Sequence, residues 1–536
     1  MNVLIINPPW PGKGFGTRSQ NRIIKHRSDK YLQYPIFLAY SAAQLKETGC
    51  NVSYIDSVIQ DLDLDQTISE VKKKNPDIIF METTTPSIEA DYVNLTELKN
   101  ATNAKIIVGG PHVTYFHKKV IEDCKAIDIV IRHEFDTKIA NVVSNINDLN
   151  NVPGITFRSG DDIIDNGDGE LPDNLDTLPL PDRETVPWHW YVEAWYSRQP
   201  FMNMMTSRGC PYHCAFCLWP QIMNGHKQRF RSIDNVIHEL KHLVNQYGLK
   251  EINIDDGTFT TNKKRVIEFC QRLRKEKLDL IWTCNGRVDN IDDEMLIEMK
   301  KSGCKMIRFG VESGSQEVLN KIKKGLTLEQ IEKGISMVKK HGIQALGGFM
   351  FGFPYDSKKT IEQTINFAKK LSPDQVQFSI NMCYPGTSLY EYAIENNLLL
   401  AGSFKEFDMT YGPVVKTVDM ERAELEHVLS KAYREFYFRP GYILQTLLHL
   451  RDIGNKKVGD DKVFNEKGLP VGLASLNYKG IMNEYRYHRV DISRTDYLAV
   501  TDLTALLIEA RNIFIDKADT YTSMIDEFIV KLESSF

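Results

Sequence analysis

The chain is 536 residues long, 42% hydrophobic and 26% charged, with a formal net charge of −5. That length allows roughly two to four domains with cores of their own, and the balanced charge excludes a nucleic-acid binder built on a basic surface. No apolar run approaches the roughly 18 residues that span a bilayer. The opening MNVLIINPPW lacks the basic flank and cleavage region of a signal peptide, so the expected location is the cytoplasm.

The first part alternates short apolar runs with helical patterns. Val3–Asn7, Val52–Ile55, Asp77–Met81, Lys105–Val108 and Ile127–Ile131 read as strands, and Pro35–Leu45 has helical spacing. Strands alternating with helices imply an α/β, Rossmann-like doubly wound domain, expected over residues 1–150. Ligands of such sheets lie at the C-terminal strand ends. Here those ends carry Asn7–Pro8–Pro9–Trp10, Asp56–Ser57, Thr83–Thr84–Thr85 and Gly109–Gly110–Pro111–His112. The glycines are expected to let backbone approach a ligand.

Residues 151–200, with a Gly/Asp-rich turn and a proline-studded stretch, read as an interdomain linker. A second β/α series follows over 201–396. Its strands are expected at Phe201–Thr206, Glu251–Asp255, Ile281–Asn285, Met306–Val311, Ala345–Phe351 and Gln375–Ile380, with helices such as Asn235–Tyr247 and Leu328–Lys340 between them. Six such units suggest a partial (β/α)6 barrel. Residues 397–536 read as mainly helical, with helices at Arg422–Phe436, Tyr442–Leu450 and Leu498–Ser534 and an exposed loop at Asn455–Gly472.

Of the nine cysteines, six are scattered singly and read as buried small side chains. Cys210, Cys214 and Cys217 crowd into Ser207–Arg208–Gly209–Cys210–Pro211–Tyr212–His213–Cys214–Ala215–Phe216–Cys217. Thiolates at CxxxCxxC spacing on a loop after a strand can each bind one iron of a cubane, leaving the fourth iron open for chemistry. A zinc site completed by His213 or His226 is the competing reading.

CxxxCxΦC, with Phe216 as the aromatic, resembles the radical S-adenosylmethionine (SAM) superfamily. The resemblance implies a [4Fe–4S] cluster on Cys210, Cys214 and Cys217. SAM would chelate the open iron, and one electron, from a donor such as a flavodoxin or ferredoxin, would split it into methionine and a 5′-deoxyadenosyl radical. It also implies SAM contacts from Phe216, from Asp255 and Asp256 after the second barrel strand, from Glu312 in Phe309–Gly310–Val311–Glu312–Ser313–Gly314, and from Gly348, Met350 and Gly352 in a GxIxG-like strand.

The front domain narrows the resemblance to the cobalamin-binding members. Asn7, Pro8, Pro9, Gly109 and Gly110 resemble their cobalamin contacts, and Cys217–Gln221 and Arg132–Asp136 resemble hopanoid side-chain radical enzymes and the anaerobic magnesium-protoporphyrin ester cyclase group. The familiar DxHxxG motif would place a cobalt-ligating histidine two residues after Asp56, where this chain has Val58. Cobalamin is therefore expected without a histidine ligand from this loop. The implied activity is modification of an unactivated carbon of a small-molecule or lipid substrate. C-methylation is the commonest outcome in the family, with radical cyclisation or ring rearrangement as the alternative and a metal-stabilised binding protein as the alternative of another class. Arg287, Arg308 and Cys383 are further candidates near the barrel mouth, and the aromatic group Trp188, Trp190, Tyr191, Trp195 and Tyr196 is a candidate cover over the cleft.

Overall fold

The computed structural model describes residues 1–10, 16, 18–19, 32–191, 196–408, 412–439 and 442. The chain forms two compact units, one of Met1–Glu193 with Arg198–Glu426 and one of Ala194–Ser197 with His427–Phe536. The first unit holds two large sheets.

The first sheet is built from β1 (Asn2–Asn7), β2 (Asn51–Asp56), β3 (Ile78–Glu82), β4 (Lys105–Gly109), β5 (Ile129–Ile131), β6 (Ile155–Ser159) and β7 (Asp162–Asp165). Its spatial order is β2-β1-β3-β4-β5-β6-β7. The five leading strands are parallel, and β6 and β7 add antiparallel at the far edge. Val3, Leu4, Ile5 and Ile6 of β1 are all buried, as a central parallel strand covered on both faces requires. The helix Ile36–Glu47 packs on one face, its residues Ile36, Phe37, Leu38 and Tyr40 joining the core beside Val3, Ile5 and Phe80. The helix Ile88–Ala101 covers the other face with Ile88, Leu95 and Leu98. The 2-1-3-4-5 order places a topological switch point between β1 and β3, where ligands of open α/β sheets bind.

The linker expected at residues 151–200 is corrected at its start. Ile155–Asp165 is a β-hairpin of the first sheet, closed by the two-residue turn Gly160–Asp161 with Gly160 at φ +60°. Its strands are short, and only Ile155, Thr156 and Phe157 are buried, so the period-2 pattern is brief enough to pass for a loop.

The second sheet comprises β8 (Phe201–Met204), β11 (Glu251–Ile254), β12 (Ile281–Gly286), β13 (Cys304–Glu312), β14 (Gln344–Phe351) and β15 (Gln375–Ile380), in the order β15-β14-β13-β12-β11-β8. All five neighbouring pairs are parallel, with helices such as Ile233–Tyr247, Lys263–Lys275 and Leu328–Lys340 in the crossovers. This is the expected six-stranded open barrel wall. A two-residue antiparallel pair, β9 (Ser207–Arg208) with β10 (Arg229–Phe230), follows β8 and brackets the cysteine loop.

The helix Arg422–Tyr437 matches its expectation. The helices expected at Tyr442–Leu450 and Leu498–Ser534 and the loop at Asn455–Gly472 lie outside the described residues, Tyr442 apart. No helix among the described residues is long and apolar enough to cross a membrane.

Candidate radical centre and corrin-facing edge

The cysteine loop begins where β9 ends. Gly209 sits at φ +83°, and a β-carbon there would lie 2.3 Å from the Lys227 carbonyl. Only glycine turns the chain here without strain. The loop backbone is then fastened on several sides. Cys210 N donates to Gly225 O (3.3 Å), Ala215 N to Ile322 O (2.9 Å) and Cys217 N to Cys214 O (3.1 Å). Gln221 Nε2 donates to Cys217 O at 2.8 Å and reaches the Cys214 and Ala215 carbonyls at 3.3 Å each. These bonds anchor the loop at Cys210, Ala215 and Cys217 through its backbone and not through the thiols.

Burial raises the Cys214 thiol, partly offset by the Lys324 ammonium. Loss of solvent around Cys217, with Cys214 and Cys210 alongside, pushes its thiol up to about 12. Buried thiols such as Cys214 and Cys217 become thiolates when a cationic group binds among them. This donor set suits an iron–sulfur cluster. All three donors are soft thiolates, the ligands such clusters take. His213 and His226 stack on each other at 4.0 Å between ring centroids, and His226 Nδ1 faces the Tyr212 carbonyl at 3.1 Å.

The SAM-contact candidates fall into three groups. Glu312 ends β13 in a left-handed conformation (φ +69°), beside a register shift against β14 between Gly310 and Glu312. Its buried carboxylate accepts from Lys324 Nζ at 2.8 Å. Burial works against the Lys324 charge, but Glu312 and then Cys214 more than offset it, holding the ammonium above its usual range. Gly310 makes the arrangement possible, since a β-carbon there would lie 2.2 Å from Glu312 Oε1. Strained non-glycine backbone of this kind persists where the surroundings over-determine it, commonly at functional sites.

Gly348 and Met350 lie on the half-buried face of β14, while Gly347, Phe349 and Phe351 between and beside them are fully buried. Gly352 ends the strand at φ +83°, its N–H donating to Asp356 Oδ2 at 3.0 Å. Phe216 packs its ring 5.6 Å from that of Phe353.

Asp255 and Asp256 have other partners. The Asp256 carboxylate accepts from the N–H and hydroxyl of both Thr206 and Ser207 at 2.6–3.0 Å, which clips the end of β11 to the entry of the cysteine loop. A carboxylate with four donors is saturated, so Asp256 is a brace and not a ready SAM contact. Asp255 accepts from Gln33 Nε2 at 2.9 Å and lies 4.0 Å from Arg308. The residues in contact with Cys210 are instead Thr258, with Oγ1 3.7 Å from the sulfur, and Gly257, whose bare α-carbon faces the Cys210 Cβ. Sequence reasoning passed over both, because neither carries an obvious ligand group.

Arg287 forks onto Asp289 (3.0 and 3.1 Å) and lies 3.7 Å from the centre of the Tyr212 ring. It holds the cysteine loop instead of awaiting a substrate carboxylate. Arg308 donates to Asn253 Oδ1 at 2.6 Å. Cys383 is buried with φ +42°, and burial pushes its thiol up to about 12, which suits a packed thiol.

At the switch point of the first sheet, polar groups close on each other. Asp56 accepts from Asn7 Nδ2 (2.9 Å), the Tyr54 and Tyr191 hydroxyls (3.0 and 2.7 Å) and the N–H groups of Val58 and Ile59 (3.1 Å each). Arg18 donates to Asn7 Oδ1 (2.6 Å), to the Pro8 and Pro9 carbonyls (2.7 and 3.3 Å) and to Asp91. A small cavity remains, lined by Asn7, Arg18, Asp56, Glu82 and Tyr191 among others. Arg18, Asp91 and the role of Tyr191 were not legible beforehand, since they come from three distant stretches. Trp188 and Trp190 pack partly buried against the same core, and Trp195 lies outside the described residues.

The glycines at the end of β4 are corrected in purpose. A β-carbon on Gly109 would overlap the Phe135 ring at 2.7 Å, and one on Gly110 (φ +121°) would lie 2.2 Å from the Thr83 carbonyl. Both serve close internal packing. The polar signal here is Thr83 itself, whose buried hydroxyl has no hydrogen-bond partner among the described residues. A polar atom of this kind at a strand's C-terminal end fits a polar cofactor such as cobalamin.

Comparison with known proteins agrees with this geometry. Residues 204–368 match the radical SAM superfamily and residues 27–143 the B12 binding domain. An uncharacterised methyltransferase of Pyrococcus horikoshii is 36% identical over 417 residues, covering 77% of this chain and 90% of that protein. The anaerobic magnesium-protoporphyrin IX monomethyl ester cyclase of Rubrivivax gelatinosus is 27% identical over 490 residues, 87% of each chain. Among solved structures, the fold resembles the radical SAM methyltransferase TsrM from Kitasatospora setae with cobalamin and [4Fe–4S] cluster bound (TM-score 0.66, 15% identity, 90% of this chain and 99% of that one). It also resembles the cobalamin-dependent radical enzyme OxsB (TM-score 0.64, 16% identity, 100% of this chain and 80% of that one). The chain belongs to the B12-binding radical SAM enzymes, and its cofactors are a [4Fe–4S] cluster, S-adenosylmethionine and cobalamin.

Proposed function

We propose that this enzyme is a cobalamin-dependent radical SAM C-methyltransferase acting at an unactivated carbon of a small-molecule or lipid substrate. The observation that carries the reading is the methyltransferase relative, 36% identical over 77% of this chain with 90% of its own length covered.

In this reading Cys210, Cys214 and Cys217 hold the cluster. Together the bound cofactors supply a carbon-centred radical and a transferable methyl group. The protein's part is to orient and to exclude water. Lys324 holds the Glu312 carboxylate in place at the end of β13 by its 2.8 Å hydrogen bond, ready for the SAM ribose or methionine portion. Gly348 and Met350 offer the half-buried face of β14 to adenine, Gly352 turns the chain at its end, and Phe216 packs nearby against Phe353. Asp255, tied to Gln33 and near Arg308, belongs to the polar barrel wall that meets substrate or SAM. Asn7, Pro8, Pro9, Gly109 and Gly110 shape the corrin-facing edge, with Thr83 offering its hydroxyl. No histidine follows Asp56 at the family's ligand position, so cobalt is expected without a protein imidazole from this loop. A flavodoxin or ferredoxin in the cytoplasm would supply the electron.

A radical oxidative cyclase is the second reading, favoured by the cyclase relative that aligns over 87% of this chain. Anaerobically reconstituted enzyme given SAM, reductant and candidate substrates separates the two. Methyl transfer yields S-adenosylhomocysteine alongside 5′-deoxyadenosine, whereas 5′-deoxyadenosine without S-adenosylhomocysteine in a productive reaction rules methylation out.

A further inference from the structure

Both ends of the cysteine loop lead back to one short segment of the first sheet, Arg132–Asp136, at the C-terminal end of β5. On the entry side, Arg208 lies two residues before Cys210. Its guanidinium forks onto the Asp136 carboxylate (3.1 and 2.6 Å) and touches Glu134 Oε2 at 3.3 Å. Arg229, which pairs with Arg208 in the β9–β10 ladder, donates to both Glu134 oxygens and to the Pro172 and Asn224 carbonyls. Arg208, Glu134, Asp136 and Arg229 are all buried, and Phe37 and Tyr40 present their rings to the Arg208 guanidinium at 5.4 and 5.1 Å.

On the exit side, His133 holds a left-handed backbone (φ +62°), and its Nδ1–H donates to the Ile222 carbonyl at 2.6 Å. Ile222 adjoins Gln221, whose amide gathers the carbonyls of Cys214, Ala215 and Cys217. The same segment is tied to the edge proposed for cobalamin, because the Thr114 hydroxyl accepts from His133 N (2.9 Å) and donates to Gly110 O (2.8 Å).

A buried two-acid, two-arginine network contributes little net stability relative to apolar packing, yet it fixes geometry, since any displacement leaves an unpaired buried charge. The bidentate Arg208–Asp136 fork fixes both distance and plane.

We infer that Arg132–Asp136 acts as a buckle across the cysteine loop, with Glu134, Asp136 and His133 as positioning residues that set the cluster through Arg208 and Ile222. The inference rests on Cys210, Cys214 and Cys217 being the cluster ligands. The buckle gives the cobalamin-binding module a direct mechanical hold on the group that cleaves SAM.

The test uses the full chain, purified without oxygen and reconstituted, as wild type, Asp136→Asn, Arg208→Lys and His133→Ala. Three measurements are made on each: iron and sulfide content, the electron paramagnetic resonance (EPR) spectrum of the reduced cluster before and after SAM is added, and 5′-deoxyadenosine formed from SAM with dithionite. Asp136→Asn and Arg208→Lys are expected to keep wild-type circular dichroism while changing the SAM-induced EPR shift. Their cleavage should fall roughly tenfold, as expected for a reacting group displaced by a fraction of an ångström. His133→Ala should show the same spectral change, smaller. Loss of the cluster with the fold intact also supports the buckle. Wild-type spectra and cleavage at full iron content would overturn it, as would global unfolding of Asp136→Asn, which would make the network a fold determinant only. Wild type that binds no cluster would instead overturn the ligand assignment, a result distinct from all of these.

Discussion

The cysteine loop and the switch point of the first sheet solve opposite problems with similar materials. In the loop, the backbone is tied down by neighbours such as Gln221 and Ile322, and the thiols are left over. At the switch point the side chains are tied to each other, with Asp56 holding five donors and Arg18 bound to Asn7, Asp91 and two proline carbonyls. A site that makes covalent bonds to its cofactor must keep strong donors in reserve. A site that cradles a large organic cofactor works through shape, backbone and a few isolated polar atoms such as Thr83.

The contrast sets a graded series of tests. Cys214→Ala should abolish SAM cleavage and cluster EPR while the thermal unfolding of the protein is little changed. Retained cleavage would remove the loop's special status. Asp56→Ala should do the reverse, costing about 2–4 kcal/mol of stability through stranded donors, read from denaturant midpoints, with cobalamin retention falling alongside.

Asp356 gives a pH signature belonging to the barrel side. Burial pushes its carboxyl up to about 6, against hydrogen bonds from Thr360 and from the Phe353 and Gly352 amides that pull it down. With the folded value above the unfolded one, the folded state binds the extra proton between about pH 4 and pH 6. Stability should therefore decline across that window as pH rises, by on the order of 3 kcal/mol, and then level off. Asp356→Asn should flatten this slope in pH-dependent melting, and an unchanged slope would refute the assignment.

Gly110→Ala should cost about 1–3 kcal/mol, because the added methyl meets the Thr83 carbonyl; a neutral result in thermal melting would mean the β4 turn is looser than the contact implies. Thr83→Val is the smallest effect. Stability should stay within about 0.5 kcal/mol, while cobalamin affinity, measured by equilibrium dialysis, falls. Unchanged affinity would take Thr83 out of the cofactor site.

All eleven expected strands exist close to their expected bounds, because short apolar runs separated by helical patterns leave few alternatives. The hairpin of β6 and β7 was missed since its inward face is only three residues long. At the site, the spacing of Cys210, Cys214 and Cys217 made one loop with three thiols readable, and the family resemblance supplied the choice of cluster over zinc. Asp256 was misread because a carboxylate after a barrel strand looks the same whether it meets a ligand or the Thr206 and Ser207 hydroxyls. Arg18, Tyr191 and the Arg208 network depend on contacts across long sequence separations, such as 72 residues from Asp136 to Arg208. No local pattern encodes these.

The bare α-carbon of Gly310 has a genetic consequence. Any side chain at that position would expel the Glu312 carboxylate from its place beside Lys324, so a lesion in a residue with no functional group should phenocopy loss of the acid itself. The two positions form an epistatic pair, in which the acid at 312 retains its value only while 310 stays empty.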